Sequence, residues 1–100
     1  MRAVITGATS GIGKAMACQL AQNGWSLVLT GRNQTVLEQL QKNLPTAVEI
    51  LPLDLAEEEA PYQLFDFCKK KRVDLLVNNA GFGIFGRFTE TNLQEEMDLL

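Results

Sequence analysis

The chain has 100 residues, of which 46% are hydrophobic and 21% are charged, and its formal net charge is −3. This composition excludes a disordered tail, and the sequence holds no apolar run long enough to span a bilayer. The acidic balance also argues against nucleic-acid binding, because basic residues that neutralise phosphate supply most of that affinity.

The chain contains two cysteines and no histidine, which excludes the usual zinc clusters. Its first residues lack the basic n-region and the cleavage site of a signal peptide. We therefore expect a cytoplasmic protein without a metal site, in which Cys18 and Cys68 act as small buried hydrophobic residues.

Short strand-like runs alternate with segments of helical periodicity along the whole chain. The predicted strands cover residues 2–6, 26–30, 47–53 and 74–78. The predicted helices run from Gly11 to Asn23, from Asn33 to Pro45, from Pro61 to the basic run at 69–72, and from about Thr91. Four-residue spacing predicts that the first helix buries a stripe formed by Ile12, Met16 and Leu20.

Strands that are separated by helices cannot be joined by tight hairpins. The order β-α-β-α-β-α-β-α therefore predicts an α/β fold, in which a doubly wound parallel sheet has right-handed crossovers and helices on both faces. Ligands bind such open sheets at the carboxyl ends of the strands, so we expect the functional residues at that edge.

A glycine-rich loop, Thr6-Gly7-Ala8-Thr9-Ser10-Gly11-Ile12-Gly13, follows the first predicted strand. Gly7 allows a sharp turn, Gly11 lets the backbone approach a pyrophosphate, and Gly13 lets the helix pack closely on the sheet. The start of the helix offers free N–H groups and partial positive charge to an anion, and Ser10 can either cap it or bind a phosphate. The alternative is a glycine turn that only joins strand to helix.

The loop is not a P-loop, because its spacing is G-x-x-x-G-x-G with no Gly-Lys-Ser/Thr. Two further motifs stand at later strand ends, Asp54-Leu55 after the third strand and Asn78-Asn79-Ala80-Gly81 after the fourth. Together with T-G-x-x-x-G-I-G, they resemble the cofactor site of the short-chain dehydrogenase/reductase family. The alternatives are Asx turns at the asparagines and a helix cap at Asp54.

The resemblance covers essentially the whole chain and implies a single partial Rossmann-like domain over residues 1–100, with strand order 3-2-1-4. It implies that the chain binds a nicotinamide dinucleotide. The residues that it assigns to cofactor binding are Gly7, Thr9, Ser10, Gly11, Ile12, Gly13, Arg32, Asp54, Leu55, Asn79, Ala80 and Gly81.

The end of the second strand indicates which dinucleotide is bound. In this architecture a carboxylate holds the ribose 2′-hydroxyl of NAD, whereas an arginine accommodates the 2′-phosphate of NADP. The sequence there is Thr30-Gly31-Arg32, with no acid, so NADP is the expected cofactor and NAD is less favoured. The alternative is a solvated arginine that precedes a helix.

Members of the family transfer hydride between nicotinamide and a carbonyl or alcohol substrate, using a tyrosine and a lysine four residues later. Tyr62 is the only tyrosine here, and Asp66 stands four positions on. We expect Tyr62 to be a packing residue at a helix start, and no catalytic residue within the chain. The resemblance thus predicts the cofactor half of an NADP-dependent oxidoreductase, inactive by itself. The alternative is a catalytically silent nucleotide-binding or interaction module.

In the family's strand order the fourth strand is central, so its outer edge is expected to be unpaired here. The stripe Leu93, Met97 and Leu100 of the last predicted helix would also lack its usual cover. Unpaired apolar edges invite pairing with another chain, and we therefore expect a homo-oligomer.

Overall fold

The computed structural model describes residues 1–79. Its strands are β1 (Arg2–Thr6), β2 (Ser26–Gly31), β3 (Val48–Pro52) and β4 (Leu75–Asn78). Its helices are α1 (Gly11–Gln22), α2 (Gln34–Asn43) and α3 (Ala60–Cys68). This order confirms the predicted alternation. The predicted last helix, with Leu93, Met97 and Leu100, lies outside the described residues.

The four strands form one parallel sheet in the order β3-β2-β1-β4. Val4 in β1 is paired with Val28 in β2 and with Leu76 in β4. The predicted strand order and the doubly wound α/β fold are therefore confirmed. Because all strands are parallel, the segments that follow β1, β2, β3 and β4 emerge at the same edge of the sheet.

Each face of the sheet carries its own core, because successive residues of a strand point to opposite sides. On one face, buried residues such as Ile5, Leu29 and Val77 cluster with Leu37 of α2 and Ala17 of α1. On the other face, buried residues of the sheet, of the segment before β4 and of the helix α3 form one cluster. These residues are Val4, Val28, Leu64, Cys68, Val73 and Leu76. Within residues 1–79 no helix is long and apolar enough to cross a membrane.

The buried stripe of α1 is not the one that the sequence predicts. The structure buries Gly13, Ala17 and Ala21, whereas Ile12 is 70% exposed and the other two predicted residues are only partly buried. Small side chains let a helix lie close to the sheet, which the larger side chains of the neighbouring stripe would prevent. The spacing was right, but the face was wrong.

The helix α2 begins as predicted, because Asn33 Oδ1 accepts a hydrogen bond from the Val36 N–H at 3.2 Å. In α3 the prediction for Tyr62 was wrong. Pro61 lies in the first turn and is buried, but Tyr62 is 55% exposed and points away from the core.

The basic run after α3 is only partly solvated. Lys71 Nζ lies 3.1 Å from Glu49 Oε2 and 4.9 Å from the centre of the Phe67 ring. The Arg72 side chain is exposed, and its Nε donates to Asp74 Oδ1 at 3.2 Å.

Candidate functional site

The glycine loop (residues 7–13) leaves β1 through a turn that requires glycine. Gly7 has φ +63°, a conformation that residues with a Cβ rarely adopt. A Cβ at Gly13 would overlap the carbonyl oxygen of Gly7, so only glycine allows α1 to begin this close to the turn. A Cβ at Gly11, in contrast, would meet no atom within 4 Å. Gly7 and Gly13 thus build the loop, whereas Gly11 faces open space.

The first turn of α1 has backbone amides that are not hydrogen-bonded. Ser10 is the N-cap, and its Oγ accepts a hydrogen bond from the Gly13 N–H at 3.3 Å. Within residues 1–79 the N–H groups of Gly11 and Ile12 have no hydrogen-bond partner, and both residues are exposed. Two free amides at the positive end of a helix form an anion-binding arrangement.

The side chain of Ser10 is fully occupied by structural contacts. Besides capping α1, its hydroxyl donates to the Gly7 carbonyl oxygen at 2.8 Å and accepts from Asn79 Nδ2 at 2.6 Å. A hydroxyl has one proton and two lone pairs, so these three bonds saturate it. Of the two interpretations of Ser10, the structure shows the helix cap.

Asn79 connects the end of β4 to the glycine loop. Its Nδ2 donates to Ser10 Oγ and to the Gly7 carbonyl oxygen, the latter at 3.3 Å, and its backbone N–H donates to Thr6 Oγ1 at 2.9 Å. Both side-chain amide protons are therefore directed into the loop, which leaves Oδ1 as the polar atom of this side chain that can accept from a ligand.

A row of buried polar side chains underlies the site, and its three residues are not among the predicted cofactor-binding residues. The Thr6 hydroxyl lies 3.0 Å from Asn78 Oδ1, and the Thr30 hydroxyl donates to the Leu51 carbonyl oxygen at 2.6 Å. All three polar residues are completely buried. Asn78 Nδ2 is also buried and has no hydrogen-bond partner within residues 1–79. The signal that could have found them is polar residues at the ends of otherwise apolar strands.

The end of β2 lies against the glycine loop. The Ala8 N–H donates to the Thr30 carbonyl oxygen at 3.0 Å, and the side chain of Thr9 lies directly over Gly31. The next residue, Arg32, is exposed and forms no ion pair or hydrogen bond within the part of the chain that the structure describes. Its guanidinium group is free to meet a ligand beside the loop.

Asp54 follows β3 and forms a local turn. Its Oδ1 accepts from the Ala56 N–H at 3.0 Å, and both Asp54 and Leu55 are half-buried. The helix-cap interpretation of Asp54 is wrong, because α3 begins at Ala60 and Glu59 is its N-cap residue. Among the described residues, no hydrogen bond joins Asp54 to the glycine loop. Two further predicted site residues, Ala80 and Gly81, lie outside the described residues.

A parallel sheet of order 3-2-1-4, with a glycine loop that leads from the first strand into a helix N-terminus, defines a Rossmann-like α/β protein. The family model for short chain dehydrogenases matches residues 1–100. The chain belongs to the short-chain dehydrogenase/reductase family, as its motifs indicated.

Three relatives illustrate the similarity. Sulfoacetaldehyde reductase 2 of Chromohalobacter salexigens is 42% identical over 85 residues, which cover 81% of this chain and 34% of that protein. A short-chain dehydrogenase from Sphingobium yanoikuyae in complex with NADPH is 34% identical with a TM-score of 0.72, over 81% of this chain and 34% of that one. A closed form of serine dehydrogenase complexed with NADP+ is 31% identical with a TM-score of 0.71, over 79% and 33%. The chain spans about a third of the length of these relatives.

Proposed function

We propose that this chain binds NADP(H) at the carboxyl edge of its sheet and supplies the cofactor half of an oxidoreductase. The observation that carries the proposal is the pair of unbonded amides of Gly11 and Ile12, two exposed residues at the start of α1. These amides and the helix dipole would hold the pyrophosphate. Gly7, Gly13 and Ser10 act by shaping the loop, since their contacts lie within the protein.

The two ends of the dinucleotide would lie on opposite sides of the loop. On the side of β4, Asn79 Oδ1 can accept from a ribose hydroxyl. The family motif assigns Ala80 and Gly81 to the cofactor as well. On the side of β2 and β3, Asp54 would accept from the adenine amino group through the carboxylate oxygen that Ala56 does not use, and Leu55 offers it apolar contact.

Arg32 is the basis for proposing NADP rather than NAD. It is an exposed cation without an ion pair in the described residues, and no carboxylate stands beside it at the end of β2. An arginine fork suits a phosphate dianion, which it can bind through two parallel hydrogen bonds. In support, the relatives from Sphingobium yanoikuyae and the serine dehydrogenase were solved with NADPH and with NADP+.

The proposed reaction is hydride transfer between nicotinamide, which supplies or receives the hydride, and a carbonyl or alcohol substrate. A general acid–base group is needed to move the proton on the substrate oxygen, and a tyrosine with its usual pKa of about 10 requires a neighbouring cation for that work. Tyr62 has Asp66 at the helical i+4 position instead. We therefore propose that this chain alone binds cofactor without turnover. Its two free thiols suit the reducing cytoplasm.

Calorimetric titration with NADPH and with NADH tests the proposal. We expect clearly tighter binding of NADPH. Arg32→Ala should weaken NADPH binding by about tenfold or more, the value of a charge-assisted hydrogen bond, and leave NADH binding nearly unchanged. Lys70→Ala, which removes an exposed positive charge beyond the end of α3, is the matched control. Equal affinities for both dinucleotides would remove Arg32 from the site.

A further inference from the structure

Thr9 of the glycine loop occupies the space that a side chain at position 31 would need. A Cβ at Gly31 would lie 3.1 Å from Thr9 Cγ2 and 3.2 Å from Thr9 Oγ1, closer than ordinary van der Waals contact. The backbone of Gly31 does not have a positive φ, so its conformation would suit other residues. Space, rather than backbone strain, therefore restricts this position.

Neither partner in this contact can move aside easily. The Gly31 carbonyl oxygen accepts from the Leu53 N–H at 3.0 Å, which holds the end of β2 against the segment after β3. Thr9 stands between Ala8, which is completely buried, and Ser10, whose hydroxyl is saturated. Both neighbours fix the course of the loop at Thr9.

Rotation of the Thr9 side chain does not relieve the contact either. A β-branched residue has two heavy atoms on three staggered positions, and here both of the atoms face Gly31. Two of the three staggered positions face Gly31. Because the side chain always fills two of the three positions, every rotamer leaves at least one γ atom facing Gly31. Threonine at position 9 thus crowds a Cβ at position 31 in every staggered rotamer, so that one of the two residues would have to shift by a few tenths of an ångström.

We infer that Thr9 and Gly31 act as a pair that determines the dinucleotide specificity of this site. The inference rests on the proposed function and deepens it. A carboxylate for the 2′-hydroxyl of NAD would stand at the end of the second strand, where Gly31 is the last residue. Thr9 disfavours a side chain at that place, and the space next to Arg32 would then remain available to a 2′-phosphate.

A double-mutant cycle between the two positions tests the steric coupling. Gly31→Ala should weaken binding of NADPH and NADH alike by about three- to tenfold, which corresponds to the cost of an off-rotamer side chain. Thr9→Ala removes both crowding atoms, so Thr9→Ala/Gly31→Ala should bind within about twofold of Thr9→Ala. Thr9→Val keeps two γ atoms and should not rescue Gly31→Ala. Melting temperatures should follow the same pattern, which gives a readout for any variant that binds too weakly.

The specificity itself is tested by an acid at position 31. Gly31→Asp alone should weaken the binding of both dinucleotides. Thr9→Ala/Gly31→Asp should lower the ratio of NADPH to NADH affinity by tenfold or more. The double variant should also bind NADH more tightly than Gly31→Asp does. If Gly31→Ala behaves as the unmodified protein, or if Gly31→Asp gains NADH affinity without the change at Thr9, the pairing is refuted while the proposed NADP site stands. If the unmodified protein binds neither dinucleotide, both proposals fail.

Discussion

The side-chain amide of Asn79 donates to Ser10 Oγ at 2.6 Å and thereby joins the end of β4 to the cap of α1. Ser10 is itself bonded to both ends of the glycine loop. Its hydroxyl donates to the Gly7 carbonyl oxygen and accepts from the Gly13 N–H in the first turn of α1. We therefore expect the serine to act on the site through the groups that it positions rather than as a ligand of phosphate.

Removal of this hydroxyl is expected to loosen the site. Ser10→Ala loses a helix cap and leaves Asn79 without one of its acceptors, so the free energy of unfolding should fall by about 1–2 kcal/mol. Urea denaturation measures this loss, and calorimetry should show weaker binding of NADPH and NADH by a similar factor. Ser26→Ala, at the opposite edge of the sheet, is the control and should change neither quantity. A loss confined to NADPH would point to a direct phosphate contact instead.

Substitutions at two glycines of the loop should affect stability and dinucleotide binding differently. Gly13→Ala places a methyl group on the Gly7 carbonyl and should lower the free energy of unfolding by about 3 kcal/mol. Gly11→Ala meets open space and should leave stability unchanged or slightly raised, yet weaken dinucleotide binding because its methyl group projects toward the pyrophosphate. Thermal melts and titrations of the two variants give this comparison. Equal binding by Gly11→Ala and the unmodified protein would contradict the proposed pyrophosphate position.

Asp74 should contribute stability that depends on pH. The Arg2 backbone N–H, which donates to its Oδ2 at 2.9 Å, and then the Arg72 guanidinium lower the pKa of the Asp74 carboxyl below its usual 3.8. A carboxyl group with a lowered pKa in the folded state stabilises the fold above the unfolded pKa, and this contribution is lost as the pH falls through the folded value. Asp74→Asn should therefore destabilise the protein at pH 7 and much less near pH 2. An equal effect at both pH values in urea denaturation would refute this.

Cys68 should react with thiol reagents only after unfolding. It is buried in the core beside α3, and burial raises the pKa of its thiol from 9.0 to about 11. The folded state thus holds this proton more tightly than the unfolded state, so stability should decline as the pH rises from about 9 to about 11. Cys18→Ser isolates the Cys68 thiol for labelling, and Cys68→Ala should remove its part of the alkaline decline. Rapid labelling of the Cys18→Ser variant under native conditions would contradict the burial.

The outer edge of β4 should mediate self-association. Within residues 1–79 this strand pairs with β1 alone, so one of its edges has no strand beside it in that part of the chain. We expect dimers or larger species by strand addition, and light scattering over a concentration series measures them. Leu75→Lys puts a charge at this edge and should shift the distribution toward monomer. A monodisperse monomer at high concentration would exclude the prediction.

The sequence could predict the alternation of strands and helices, because apolar periodicity and caps such as Asn33 are local signals. It could not predict which face of α1 is buried, since Gly13 and Ala17 carry little hydrophobic signal and are selected by close packing. The bond between Thr6 and Asn78 depends on the register of β1 with β4, which brings together residues 72 positions apart. The spacing of the glycine loop could be recognised in the sequence, but the saturation of Ser10 could not, because one of its three hydrogen bonds comes from Asn79, 69 positions away.

The contacts that shape the glycine loop connect residues 69 to 73 positions apart, from Ser10 and Thr6 to Asn79. Contacts over such separations form late, since the entropy of closing a long chain segment opposes them. A ribosome-bound chain that has exposed only its first β-α-β segment would contain every glycine of the loop. It would lack the hydrogen bond from Asn79 to Ser10, the N-cap residue of α1. Competence to hold a dinucleotide should therefore arise during synthesis only after Asn79 has left the exit tunnel and β4 has docked.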